Sequence, residues 1–307
     1  MTSMAPATHV ASSGSGWRRR HDLSGVVYAI PNIVFVAVFF LTPLVLVARM
    51  SLSSWPLLAG YKGVNFPRNF VSIWNNQLFG PAVVFTIEYT ILVTILLIGL
   101  GLGMALVVQE AGRWVGALRT IFLLPVAVGL ASASLLFWGF YSPAIGPISP
   151  MLEAVGVIHQ PISFLETPTS SLLSTTFLIV WKFAGFYMLI LLVGLQSIPN
   201  DLYEASALDG ASRGQTFRYI TWPLLRPSLA LALILCVTGS LLAFDQFFIL
   251  TKGGPDNTTV TVVQLIYREA FQRQNLGAAA AISIVVLVTL FVLNAVQFRL
   301  LRDPENS

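Results

Sequence analysis

Six long apolar runs constrain this 307-residue chain more than any other feature. They lie near residues 26–48, 83–108, 118–141, 172–196, 224–250 and 276–300. Each is long enough to cross a hydrocarbon layer of about 30 Å at about 1.5 Å per helical residue. Backbone amides and carbonyls find no water in that layer, so each run is expected to be helical. Composition agrees: 56% of residues are hydrophobic, 10% are charged, and the mean hydropathy is +0.79. A soluble domain carries about 25% charged residues, and a disordered chain is more polar still. The expected fold class is an all-α membrane protein with six transmembrane helices. The first run is too long for a signal-peptide core, and no small-x-small site follows it. Residues 1–25 are small and polar and read as a disordered tail.

Charge sets the expected orientation. An even number of spans puts both termini on one side. That side holds ten Arg residues (Arg18, Arg19, Arg20, Arg113, Arg119, Arg213, Arg218, Arg226, Arg299 and Arg302). The opposite side holds six basic residues (Arg49, Lys62, Arg68, Lys252, Arg268 and Arg273), and Lys182 stays inside a span. The positive-inside rule then places both termini in the cytoplasm. The outer loops are 51–82, 142–171 and 251–275, and the cytoplasmic loops are 109–117 and 197–223. Loop 142–171 has no Lys or Arg and is rich in Pro and Ser, so irregular or re-entrant structure is expected there.

Several chemistries are disfavoured. Cys236 is the single cysteine, so no intrachain disulfide forms, and His9, His21 and His159 all lie outside the spans. A Cys–His nucleophile pair and a His-x-x-x-His zinc site are both missing. None of Lys62, Lys182 and Lys252 follows a glycine, so there is no P-loop to hold a nucleotide. Gly99, Gly101 and Gly103 lie in an apolar span, where small residues permit close helix packing. A net charge of +4, with Arg18–Arg20 as the one basic cluster, is too little for a nucleic-acid face.

Loop 197–223 carries the most information. Asp201 and Glu204 have capping-box spacing, and Leu202, Ala205 and Leu208 fall on one helical face. Gly210 is a natural helix stop. Ser212 and Gln215 repeat the capping-box spacing, with Phe217 and Ile220 apolar behind them. Two short helices joined at a glycine are expected on the cytoplasmic surface. Asp201, Glu204 and Asp209 against Arg213 and Arg218 leave a net charge of −1. Lipid-binding faces favour basic residues, so a docked protein is the expected partner.

The segments Glu204-Ala205-Ser206-x-x-x-Gly210 and Ile220-Thr221-Trp222-Pro223 resemble the signature Glu-Ala-Ala-x-x-x-Gly…Ile-x-Leu-Pro of permease subunits of type I ABC importers. Ser206 and Trp222 depart from it. Trp181-Lys182, residues 194–199, Leu208-Asp209-Gly210-Ala211, residues 223–227, Phe244-Asp245 and Leu250-Thr251-x-Gly253-Gly254-Pro255 look like the carbohydrate branch (maltose and glycerol-3-phosphate type). Within it they resemble the first permease of a heterodimeric pair. The likeness covers 26–302, a single permease domain between cytoplasmic tails 1–25 and 303–307. It implies a non-catalytic, multi-pass subunit of a bacterial plasma membrane that imports a sugar, polyol or glycerol-phosphate compound. No cofactor is expected on this chain; ATP and Mg would sit on two partner ATPase subunits. A second homologous permease, an extracytoplasmic solute-binding protein and membrane lipid complete the implied partners. Residues 197–223 would be a coupling-helix hairpin between helices 4 and 5, seated in a groove of the ATPase through Glu204, Ala205, Leu208, Asp209, Gly210, Arg213 and Phe217. Read without the resemblance, Glu204 is a local cap, and loop 251–255 is either a binding-protein contact or a connector.

Glu88, Lys182 and Asp245 break the apolar spans. A charge in mid-bilayer is costly unless paired or wet. Lys182 is expected to pair with Asp245 or Glu88, either in a polar cavity with Tyr187, Gln246 and Phe247 or as a structural ion pair that sets helix register. The same three residues could serve an ion-coupled secondary transporter, which is the alternative function. An intramembrane enzyme is the third reading, and it lacks a paired nucleophile.

Overall fold

The computed structural model describes residues 28–110, 112–160 and 162–301. The expected tails at 1–25 and 303–307 and the Arg18–Arg20 cluster lie outside them. The chain divides between Arg49 and Met50 into two compact units. The first span is α1 (Tyr28–Ser51), with a π-helical turn at Ala37–Leu41.

In the second unit, the short helix α2 (Arg68–Trp74) precedes the long span α3 (Phe79–Val108). Next come α4 (Val115–Ala127), α5 (Leu130–Phe140), the short helix α6 (Ile148–Ala154) and the span α7 (Pro168–Gln196). The hairpin helices are α8 (Asn200–Leu208) and α9 (Arg213–Thr216). A π-helical turn at Phe217–Thr221 carries α9 into α10 (Trp222–Leu241), which is followed by α11 (Asp245–Leu250). The short helix α12 (Val262–Tyr267) leads to the last span, α13 (Leu276–Leu301).

Among the described residues, five helices are long and apolar enough to cross a membrane. The expected continuous span at 118–141 is instead a bent pair: α4 and α5 meet at 92°. Pro125 lacks an amide hydrogen, Val128 is extended at ψ 130°, and Gly129 caps α5 at ψ 143°. Counted as one crossing, the pair makes six.

The core runs along α3, where Phe85, Tyr89, Val93 and Leu97 repeat every four residues and are buried. They pack with Leu178, Met188, Leu191 and Leu192 of α7 and with Leu225, Leu229 and Cys236 of α10. The opposite face of α3, with Ile87, Ile91 and Ile95, is exposed. Lipid tails and partner helices are as apolar as this face, so outward isoleucines carry no penalty there. Helices approach closely where side chains are missing. A Cβ on Gly101 would lie 3.1 Å from the Tyr187–Met188 backbone, and one on Gly185 would strike the Phe122 carbonyl of α4.

At the end of the molecule opposite the 197–223 hairpin, the connecting segments are tied by polar contacts. Asn69 donates to the carbonyls of Ser51 (2.9 Å) and Ser53 (2.8 Å). Buried Glu269 accepts from Asn76 and Arg273, each at 2.7 Å.

Candidate coupling hairpin and membrane cavity

The hairpin is assembled from local signals. Its first helix starts two residues earlier than the capping-box spacing implies. Pro199 is the N-cap and makes no side-chain cap bond. Asp201 therefore lies inside the first turn, where the helix dipole favours a carboxylate. The expected Asp201–Glu204 capping box does not form. Glu204 is exposed and has no side-chain hydrogen bond or ion pair among the described residues.

The end of α8 is closed by glycine. Gly210 has φ +75°, its amide donates to Ala207 O (3.1 Å), and Ala211 N donates to Ser206 O (3.0 Å). This pair of bonds is a Schellman closure, which a left-handed residue makes possible. The second capping box forms as the spacing requires: Gln215 N donates to Ser212 Oγ (3.4 Å) and Ser212 N to Gln215 Oε1 (2.8 Å). The second limb is not a separate helix, because the π-turn runs it directly into α10.

Two side-chain links tie the limbs together. The hydroxyls of Ser206 and Thr216 lie 3.2 Å apart, and those of Tyr203 and Thr221 also lie 3.2 Å apart. Ser206, one of the two departures from the motif, is thus a buried strut. With Tyr203 and Ser206 turned inward, the apolar stripe Leu202, Ala205 and Leu208 faces out, and Leu208 is 89% exposed. Asp209, Gly210 and Arg213 are exposed beside it. Phe217 is half-buried, with its ring 6.2 Å from that of Trp222. Six of the seven proposed coupling residues therefore share one accessible tip.

A cavity of about 330 Å³ lies between α3, α7, α10 and α11. Tyr187, Asp245 and Gln246 line it, as expected together. Its other walls were not anticipated: Tyr89, Ser240, Cys236 and the rings of Phe183, Phe186 and Phe244. Gln246 Nε2 donates to Tyr89 OH (3.1 Å), while its Oε1 is buried with no partner. Span 5 is interrupted at Leu242–Phe244, which brings Asp245 to the cavity at the start of α11. The freed Ala243 carbonyl accepts from Thr261 Oγ1 (2.8 Å). That interruption and the Tyr89 position next to Glu88 were the available sequence signals.

Three expected cavity residues lie elsewhere. Glu88 is exposed on α3, one position off the buried face that carries Tyr89. Phe247 is fully buried behind the wall, edge-on to Tyr89 (4.9 Å) and Phe85 (5.1 Å). Lys182 pairs with neither Asp245 nor Glu88. Its ammonium donates to the carbonyls of Pro125 (3.5 Å), Val126 (3.2 Å) and Val128 at the α4–α5 break. Pro125 O already accepts from Val128 N (3.3 Å), whereas no backbone amide among the described residues bonds Val126 O or Val128 O, so these helix-end carbonyls compete well for a buried cation.

The outer segment 251–259 is a folded turn. Arg268 holds it by donating to Lys252 O (2.9 Å) and Asn257 Oδ1 (2.7 Å). Partial burial, with the neighbouring Arg273 charge, lowers the Arg268 pKa from its usual value.

The hairpin and the cavity are joined by two shared helices, α7 and α10. The family model of the binding-protein-dependent transport system inner membrane component matches residues 22–304. The chain belongs to this family. Among relatives of this inner membrane component is the trehalose/maltose transport system permease protein MalF of Thermococcus litoralis. The two are 34% identical over 86% of this chain and 88% of the relative. The lactose transport system permease protein LacF of Rhizobium radiobacter is 29% identical over 96% and 99% of the two chains. A bacterial alginate ABC transporter, crystallised with an alginate pentasaccharide-bound periplasmic protein, has a chain of the same fold. It superposes with TM-score 0.82 at 23% identity and covers 94% of this component and 98% of that chain.

Proposed function

We propose that this chain is the first permease of a heterodimeric, ATP-driven importer of a sugar or sugar-like solute. It is non-catalytic and works beside a second homologous permease, two ATPase subunits that hold ATP and Mg, and the solute-binding protein of the extracytoplasmic side. The single observation that carries this reading is the outward apolar stripe Leu202–Ala205–Leu208 at the tip of a self-braced hairpin. Such a stripe needs a partner surface, and this chain has no nucleotide loop of its own.

The mechanism follows from connectivity. The hairpin joins α7 directly to α10, and both helices line the cavity, through Tyr187 and through Cys236 and Ser240. The Ser206–Thr216 and Tyr203–Thr221 links make the hairpin move as one body. When the ATPase pair closes, a rigid displacement of the hairpin tilts both walls and turns the cavity outward. Glu204 bonds a basic or polar group of the ATPase, and Gly210 lets the tip turn sharply. The excess of arginine on the hairpin side puts both termini in the cytoplasm.

The substrate class rests on chemistry and on relatives. Aromatic rings take the C–H face of a sugar, and the Asp245 carboxylate, Gln246 amide and Tyr and Ser hydroxyls take its hydroxyl groups. The relatives named above carry lactose and trehalose/maltose in their names. The ion-coupled reading needs Glu88, Lys182 and Asp245 together, and only Asp245 lines the cavity.

The test is co-purification of the tagged chain from its native membrane, with Glu204 intact and as Glu204→Ala, followed by mass spectrometry and an ATPase assay. An ATPase subunit, a second permease and ATP turnover that falls in the variant are expected. Recovery of the chain alone would overturn the reading.

A further inference from the structure

We propose that Lys182 is a positioning residue that clamps the broken span and so sets the Leu130 wall of the cavity. The last carbonyls of a helix have no amide partners. In a membrane interior each unsatisfied one is costly, because no water replaces the amide. The break between Ala127 and Leu130 creates this problem inside an apolar run.

Lys182 answers it from the neighbouring helix. Its side chain is buried, at 3% exposure, and the ammonium spreads its donors over the carbonyls of Pro125, Val126 and Val128. Its charge sits at the negative end of α4, where a cation is favoured. The Phe183 ring, 5.0 Å away, faces the same ammonium. Three residues further along α7, Gly185 leaves room only for the Phe122 carbonyl. Two adjacent points on α7 thus grip the end of α4.

The grip lies on the path between hairpin and cavity. The helix α7 runs straight to the hairpin, and Leu130, the first residue beyond the break, lines the cavity. The helix α5 then packs on α11, which carries Asp245 and Gln246. A displacement of α7 is handed to the far wall through Lys182. This consequence for transport rests on the importer reading; the clamp itself does not.

The experiment uses the assembled transporter with Lys182→Met, which keeps the stem and loses every donor, and Lys182→Arg, which keeps donors and charge. Hydrogen-exchange mass spectrometry follows residues 122–133, with 86–100 of α3 as the internal reference. K182M is expected to speed exchange in 122–133 by about tenfold or more, as loss of charged hydrogen bonds predicts, and to leave 86–100 as it was. Solute moved per ATP hydrolysed falls by a similar factor, and K182R restores both. Unchanged exchange in K182M, or K182R no better than K182M, would overturn the clamp. Should K182M fail to assemble, Lys182→Gln takes its place with the same two outcomes. If the wild-type chain brings down no ATPase, the importer reading falls while the exchange comparison still decides the clamp.

Discussion

The hairpin and the cavity are built by opposite means. Every contact that shapes the hairpin joins residues no more than 18 apart: Ser212 with Gln215, Ser206 with Thr216, Tyr203 with Thr221. Its tip is left open to a partner. The cavity gathers residues from distant parts of the chain, as in the Gln246–Tyr89 bond, which spans 157 positions. It is lined by this chain's own helices. The difference sets the division of labour in the proposed mechanism: there the hairpin transmits force without touching solute, and the cavity meets solute without touching the ATPase.

Four substitutions test that division, from the largest effect to the smallest. Glu204→Ala removes the proposed charged bond to the ATPase, and such a bond is worth about 1.5–3 kcal/mol. Transport into proteoliposomes should lose about ten- to a hundredfold in maximal rate, with the solute concentration for half-maximal transport unchanged. A shift in that concentration instead would mean the hairpin and the cavity are not separate devices.

Gly185→Ala tests what holds α4 against α7. The added methyl meets the Phe122 carbonyl and forces the helices apart. Overpacking of this kind costs about 1–3 kcal/mol, so thermal unfolding of the detergent-solubilised complex should come at a lower temperature. Unaltered unfolding would show that the pair has slack at this crossing.

Asp245→Asn keeps the shape of the cavity wall and removes its charge. Charge-assisted hydrogen bonds are roughly twice as strong as neutral ones, so apparent solute affinity should weaken by about fivefold. The maximal rate should stay as it is. A fall in rate alone would move Asp245 from the solute to the moving parts.

Ser206→Ala cuts one of the two struts and costs about 0.5–1.5 kcal/mol locally. Because the Tyr203–Thr221 link remains, transport should fall by no more than about threefold. Adding Tyr203→Phe should then lower it further than the two single losses combined. Additive losses would mean that the struts do not brace a common body.

How much was legible follows from the same contrast. Gly210 and the Ser212–Gln215 box could be read because their partners sit three or four residues away. The Asp201–Glu204 spacing misled, because Pro199 starts the helix two residues early. Pro125 and Gly129 marked the span break, but an apolar run of sufficient length masked it. The partners of Lys182 could not be read at all. They are backbone carbonyls, which every residue has and no residue type advertises. Asp245 was found because a carboxylate in an apolar span stands out, and Tyr89 was missed because a tyrosine there does not.

The sequence by itself determined that the chain spans a membrane, where its apolar runs lie, and the glycine stop and second capping box of the 197–223 hairpin. Lipid forces apolar runs into helices, and turns are decided by neighbours in the chain. Tertiary structure alone decided which face of each span is inside. The helix α3 is apolar nearly all round, so its sequence does not choose between the Tyr89 face and the Ile91 face. That choice belongs to close crossings such as Gly101 on Tyr187 and to Lys182 reaching across to a broken helix. In lipid, where hydrophobicity gives no direction, packing and buried hydrogen bonds supply it.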